Sequence, residues 1–348
     1  MAIAFPLRPL ATLLTLAAVA SSPAVMAAPG TLLVGNKAGD TLWRLSLADG
    51  SRVGEAATAP APHEIAVSHD GRTAVVSEYG RDTPGHTVGV YDAHSGALLR
   101  RIDLGRHTRP HGMRFTRDGG HLLVTTEGSD ALLQVGLDGG LARAFDIGPG
   151  KGHMVALSPD GRHAYVSKVE AGTLARVQLS DGEVLEKPAG AGAEGIAVAG
   201  DGSVWVSNRE AGTVTVHDPE TLDVLATLDS PGFPIRVTFS ADGAHALVTN
   251  ARAATLGVFS VRARRPLAVV PLAEPGVEYR QTMLGRAALP IGAIADPDGS
   301  RVYVAISGGN QIAVVDTGSW QVVERWPTGE EPDALAIVPG LPEPPRAE

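Results

Sequence analysis

Three histidines occupy matching positions in the chain. His63, His111 and His153 each open a short apolar run and stand seven residues before an Asp-Gly pair, at Asp70-Gly71, Asp118-Gly119 and Asp160-Gly161. The same offset selects Glu194 before Asp201-Gly202, Ile235 before Asp242-Gly243 and Ile291 before Asp298-Gly299, and the pattern extends to Asp333. Chance would place about 0.2 His at seven positions in a chain of this composition. Neutral imidazoles beside carboxylates are the donor set preferred by Zn²⁺ and similar divalent metals, and three His with one open position is a catalytic arrangement. His63, His111, His153 and Glu194 are therefore the candidate metal ligands, with Glu194 also a candidate general base. Structural readings compete: one His copied by duplication and kept for packing, or a His at a strand start that hydrogen-bonds the next unit's backbone.

Other charged groups fall near the same level of the repeat. Glu78 and Lys168 end the second strands of their units, and Glu127 lies one residue past the equivalent Thr126. Arg106-His107-Thr108-Arg109 leads into His111, and Lys151-Gly152 into His153. Arg109 and Lys168 are candidates for holding an anionic substrate group, and Glu78, Glu127, Arg280 and Asp333 are candidate substrate contacts. Arg280 belongs to the longest connection, about Glu274 to Leu289, which also carries Glu278, Tyr279, Gln281 and Arg286. Long loops on a rigid scaffold are where binding and catalysis concentrate.

The elements that must position these residues are strands. His63-Glu64-Ile65-Ala66-Val67 reads as one strand, Thr73 to Glu78 as a second, Thr87 to Tyr91 as a third and Ala97 to Leu104 as a fourth. In each Asp-Gly turn the Asp bonds its own backbone and the Gly takes the positive φ of a tight hairpin. Four short strands per unit of roughly forty residues, without helical periodicity, is the pattern of a β-propeller. Six starts are explicit, and the seventh unit is split. Asp333 to Val338 matches a first strand with nothing after it, while Thr31 to Asn36 and Thr41 to Leu47 match second and third strands with nothing before them. Pairing the two ends closes a seventh blade and removes an open sheet edge. The fold class is all-β, a seven-bladed propeller over residues 29–340, followed by a Pro-rich tail at 341–348.

Val206-Ser207-Asn208, Val248-Thr249-Asn250 and Val166-Ser167-Lys168, each following an Asp-Gly turn, resemble the YVTN-type β-propeller repeat family, including YncE-like exported proteins. The resemblance covers nearly all of the chain after residue 28 and implies the propeller fold. It implies no one function, because such propellers serve as surface proteins, binding modules, cofactor carriers and enzymes. The repeat's Asn is replaced by Glu78, Thr126, Lys168 and Ile306 in four units.

Composition narrows the function further. A net charge of −9 with no Lys/Arg stripe argues against nucleic acid as a partner. With no Cys there is no thiol nucleophile, iron–sulfur cluster, Cys-attached haem, lipid-anchored Cys or disulfide. The chain lacks a Gly-x-Ser-x-Gly elbow, a His-Glu-x-x-His pair and a nucleotide-binding phosphate loop. Residues 1–28 have the layout of a secretory signal: Arg8, an apolar run from Leu10 to Ala20 too short to span a membrane, then Val25-Met26-Ala27-Ala28. The expected location is periplasmic or secreted. The expected function is a small-molecule or divalent-metal site at one channel mouth, either a metal-assisted lactonase or lyase, or a non-catalytic binding or protein-interaction scaffold working through its long loops.

Overall fold

The computed structural model describes residues 30–340 and Met1; the secretory signal expected over residues 1–28 lies, Met1 apart, outside the described residues, as does the tail at 341–348. Seven four-stranded antiparallel sheets form a closed ring. Blades 1 to 6 occupy residues 62–103, 110–146, 152–188, 193–229, 234–271 and 290–327. Blade 7 joins the chain ends: Pro332–Pro339 is its innermost strand, and Gly30–Asn36, Thr41–Ser46 and Arg52–Ala57 follow outward. Leu33 lies opposite Ala336 and Val34 opposite Leu335 in the closing register.

The Asp-Gly turns behave as the sequence predicts. Asp70 Oδ1 accepts from the Arg72 N–H at 3.1 Å and from Ser68 Oγ at 2.6 Å, and Gly71 has φ +71°. A Ser/Thr two residues before the Asp repeats this clasp at Thr116–Asp118, Ser158–Asp160 and Ser240–Asp242. The apolar core lies between blades rather than at the centre. Val75 and Val88 of blade 1, for example, pack with Met113, Phe115 and Leu122 of blade 2. Sheets that bury both faces in this way leave the central channel for side chains at the start of each innermost strand.

Three repeated backbone features aim those side chains. Two residues before each ring position the chain takes a positive φ, at Ala61, Arg109, Lys151, Gly192, Phe233, Leu289 and Glu331. All seven blades share this conformation, so it belongs to the architecture and not to one site. Next comes a β-bulge: Pro62 pairs with Glu78 but Ile65 with Val76, leaving His63 and Glu64 opposite Ser77 alone. A bulge re-aims side chains, and here both point toward the channel. Finally, a second-strand hydroxyl clasps the bulge to the next blade. Thr125 Oγ1 accepts from Gly112 N–H at 2.9 Å and donates to the His153 carbonyl at 2.6 Å. Ser207 links Gly195 to Ile235, and Thr249 links Arg236 to Ile291, in the same way. This Ser/Thr is the middle residue of the Val-Ser-Asn and Val-Thr-Asn repeats.

Candidate functional site

The seven ring residues converge on one cavity of about 800 Å³ at the channel mouth. Its floor is closed by a pair from opposite sides of the ring: Arg236 of blade 5 donates from Nη2 to Glu64 of blade 1, 172 residues away, and lies 3.5 Å from the Met154 sulfur. Gly112, Gly195 and Gly292 fill the corresponding positions of blades 2, 4 and 6. A Cβ at Gly195 would stand 2.1 Å from the Ile235 carbonyl oxygen, so the neighbouring blade forbids a side chain there.

Four consecutive blades share one chain of hydrogen bonds and ion pairs across the mouth. The Tyr79 hydroxyl of blade 1 donates to Glu127 Oε2 of blade 2, and Glu127 Oε1 meets Nδ1 of His153 in blade 3. The other nitrogen, His153 Nε2, faces Glu194 Oε1 of blade 4 at 3.3 Å, and Arg209 holds Glu194 Oε2 at 2.6 Å. Lys151 Nζ approaches Glu127 at 3.6 Å. Burial alone would lower the His153 pKa, but the Glu194 and Glu127 carboxylates outweigh it and raise it to about 9. Burial likewise opposes ionisation of Glu127, yet His153, Tyr79 and Lys151 bring it down to about 2.

His111 differs from its neighbours. It is 6% exposed, its ring centroid lies 3.8 Å from that of His153, and its Nδ1 is buried with no partner among the described residues. Burial first, then the charge of His153, holds its pKa well below the ordinary value, so it is a neutral imidazole. An orphaned polar atom in a buried site costs free energy and calls for an explanation. His111, Glu127 and His153 each offer a ligand atom within 4.8 Å of the others.

Of the expected ligand set, His111 and His153 stay together and Glu127 joins them, while His63 and Glu194 stand outside the cluster. His63 stands aside: its Nδ1 faces the Ala61 carbonyl at 3.1 Å and its ring stacks on Tyr79 at 4.4 Å. Burial lowers its pKa to about 4. Glu194 reaches the cluster only through His153. Asp333 lines the cavity in a 3.0 Å ion pair with Lys37, and the Arg109 guanidinium lies 4.9 Å over the Tyr79 ring.

Glu78, Lys168 and Arg280 do not reach the cavity. Glu78 is buried beside Arg101 Nε at 3.0 Å and Thr87 Oγ1 at 2.6 Å. Lys168 is buried with its Nζ on the Ile147 carbonyl at 2.8 Å and on Glu186 at 2.9 Å. Arg280 pins the long connection to Glu330 at 3.4 Å. For Glu78 and Lys168 the reason is the strand period: successive side chains point to opposite faces. The second-strand residue that pairs with the start of the innermost strand points sideways, and the next one enters the mouth. That next position holds Tyr79, Glu127, Arg209 and Lys37 in blades 1, 2, 4 and 7. Of these, sequence reasoning singled out only Glu127. The recurrence of aromatic and charged residues one step past the strand end was the signal available.

The long connection carries a small hairpin, Gln281–Thr282 with Gly285–Arg286, that overhangs the mouth through Leu284 and Met283. Beneath it, Phe233, Ile235, Leu289 and Ile291 of blades 5 and 6 form an apolar cluster joined by Leu284.

No family model matches the chain. A curated relative, the uncharacterized protein YncE of Salmonella typhi, is 25% identical over 219 residues, which is 60% of this chain; the match spans 59% of the relative's own length. With seven closed four-stranded blades and this relative together, the assignment follows. The chain is a seven-bladed β-propeller that is similar to YncE over part of its length. Among solved structures it is similar to the periplasmic gluconolactonase of Pseudomonas aeruginosa, with TM-score 0.71, 22% identity, and coverage of 89% of this chain and 99% of that one. Virginiamycin B lyase of Staphylococcus aureus superposes with TM-score 0.66 at 13% identity, over 80% of this chain and 91% of that one. These likenesses concern the fold. Among the described residues no helix is long and apolar enough to cross a membrane.

Proposed function

We propose that this propeller is a periplasmic enzyme that opens a lactone or eliminates across an ester, using a divalent metal held by His111, Glu127 and His153. The observation that supports it most is the unpartnered Nδ1 of His111, buried beside His153 and Glu127. The surrounding groups fit a metal. Glu194 faces His153 Nε2 at 3.3 Å and is held in turn by Arg209, so a metal would take Nδ1 in place of the proton now shared with Glu127. Tyr79 occupies one oxygen of Glu127 and leaves the other facing His153. Outer-shell partners of this kind orient metal ligands and set their tautomers.

A bound divalent cation would supply Lewis-acid polarisation of a substrate carbonyl. The chain's own part is to bind and orient. Arg109, which lines the cavity over the Tyr79 ring, would take an anionic substrate group, and the hairpin with Leu284 would shield the mouth from water. Lactonase and lyase neighbours share the fold, and a periplasmic location agrees with the N-terminal secretory pattern. The test is turnover of a panel of lactones and esters by metal-loaded protein, with a chelated sample alongside. Chelator-sensitive ring opening is the expected result. Stoichiometric metal without turnover of any member would instead make the chain a binding protein, and turnover indifferent to chelation would remove the metal from the account.

A further inference from the structure

The mouth has two unlike halves, and together they select a ligand. Five cations of the cavity wall are already matched: Lys37 with Asp333 at 3.0 Å, Arg81 with Asp40 at 2.7 Å, Lys151 with Glu127 at 3.6 Å, Arg209 with Glu194 at 2.6 Å, and Arg236 with Glu64. Arg109 has no carboxylate partner among the described residues. It rests on the Tyr79 ring and donates once, from Nη2 to the Arg81 carbonyl at 3.2 Å. In a closed ring of seven blades, blade 2 faces the gap between blades 5 and 6. Arg109 therefore lies across the mouth from the apolar wall of Ile235, Leu289, Ile291 and the overhanging Leu284.

We infer that the site takes an amphiphilic monocarboxylate, its anion on Arg109 and its aliphatic body against blades 5 and 6. A guanidinium is built for bidentate capture of a carboxylate. Placing that anion at blade 2 sets the adjoining atoms of the ligand over His111 and Glu127, while the apolar body is removed from water by the opposite wall. The inference rests on the same mouth as the proposed reaction but not on the metal or on turnover, so either can fail without the other.

Calorimetric titration with octanoate, butyrate and octylammonium, on chelator-treated full-length protein, tests it. Octanoate should bind saturably and at least about tenfold tighter than butyrate, a conservative share of the roughly fourfold expected per buried methylene. Octylammonium should not saturate. Arg109→Gln should weaken octanoate by about tenfold or more, and Arg109→Lys should recover much of that loss. Leu284→Gln, on the hairpin and outside the blades, should flatten the chain-length dependence while leaving the preference for anion over cation. The inference is overturned if octylammonium binds as well as octanoate, or if chain length has no effect. It also fails if Arg109→Gln binds like the wild type, or if octanoate binds only before chelation, which would assign the carboxylate to a metal.

Discussion

Blades 1 to 4 and blades 5 and 6 share one backbone and present opposite chemistry at the same ring positions. On the first arc the ring carries His63, His111, His153 and Glu194, with Tyr79, Glu127 and Arg209 one step past the second-strand residues that pair with the start of the innermost strands. On the second arc the matching ring residues are Ile235 and Ile291. The positive φ, the bulge and the connection to the neighbouring strand persist in both, since the Ala251 N–H reaches the Phe233 carbonyl at 3.0 Å as the Glu127 N–H reaches that of Arg109 at 3.1 Å. The difference teaches that the propeller's geometry does not require buried charge at its mouth. A ring position filled by Ile is tolerated, so the polar arc is retained at a cost in desolvation that the fold itself does not demand.

The largest effect should come from breaking the polar arc. Glu194→Leu removes the buried carboxylate between Arg209 and His153, leaves them only Glu210 and Glu127, and should lower the unfolding free energy by about 2–3 kcal/mol in denaturant titration. The matched change on the other arc, Ile235→Leu, should cost less than about 1.5 kcal/mol. Equal costs would show that the two arcs are energetically alike.

A second contrast is pH-dependent. His153 keeps its proton up to about pH 9, and a metal on Nδ1 must displace it. Zn²⁺ affinity, followed by indicator competition, should rise about tenfold per unit as pH increases from 6.5, and level off above about 9. His63, held down to about 4, is neutral across that range and adds nothing to the slope. A flat profile would mean that His153 is not a ligand.

A smaller effect of unusual sign is expected at His111. Its buried Nδ1 has no partner, so His111→Leu should leave stability unchanged or raise it by about 1 kcal/mol while abolishing metal binding. A structural histidine would behave in the opposite way. The smallest expected effect on the site is that of Lys168→Met, a blade 3 residue turned away from the mouth. It should cost about 1–2 kcal/mol and leave Zn²⁺ affinity at the wild-type value.

Much of this was legible in the chain because the Asp-Gly turns are a ruler. They locate His63, His111, His153 and Glu194 at one level, and the strand pattern adds Asp333 and shows that its strand must close on the strand at Thr31. What was not legible follows from two physical facts. A strand reverses its side chains at each step, so an error of one residue placed Glu78 and Lys168 at the mouth and passed over Tyr79 and Arg209. Partnerships across the ring, such as Arg236 with Glu64 or His153 with both Glu127 and Glu194, depend on the closed curvature of seven blades. No local pattern records that curvature. The same holds for His63, which counts as a ligand by spacing and becomes a stacking partner of Tyr79 once the rings are oriented.

The central claim is that His111, Glu127 and His153 hold a divalent cation, and metal content measures it most directly. The purified protein, as isolated and after Zn²⁺ loading at pH 9, should carry close to one equivalent by elemental analysis. That metal should be lost in His111→Leu and Glu127→Gln and kept in His63→Ala. No stoichiometric metal under either condition, or an equivalent that survives His111→Leu, would contradict the account.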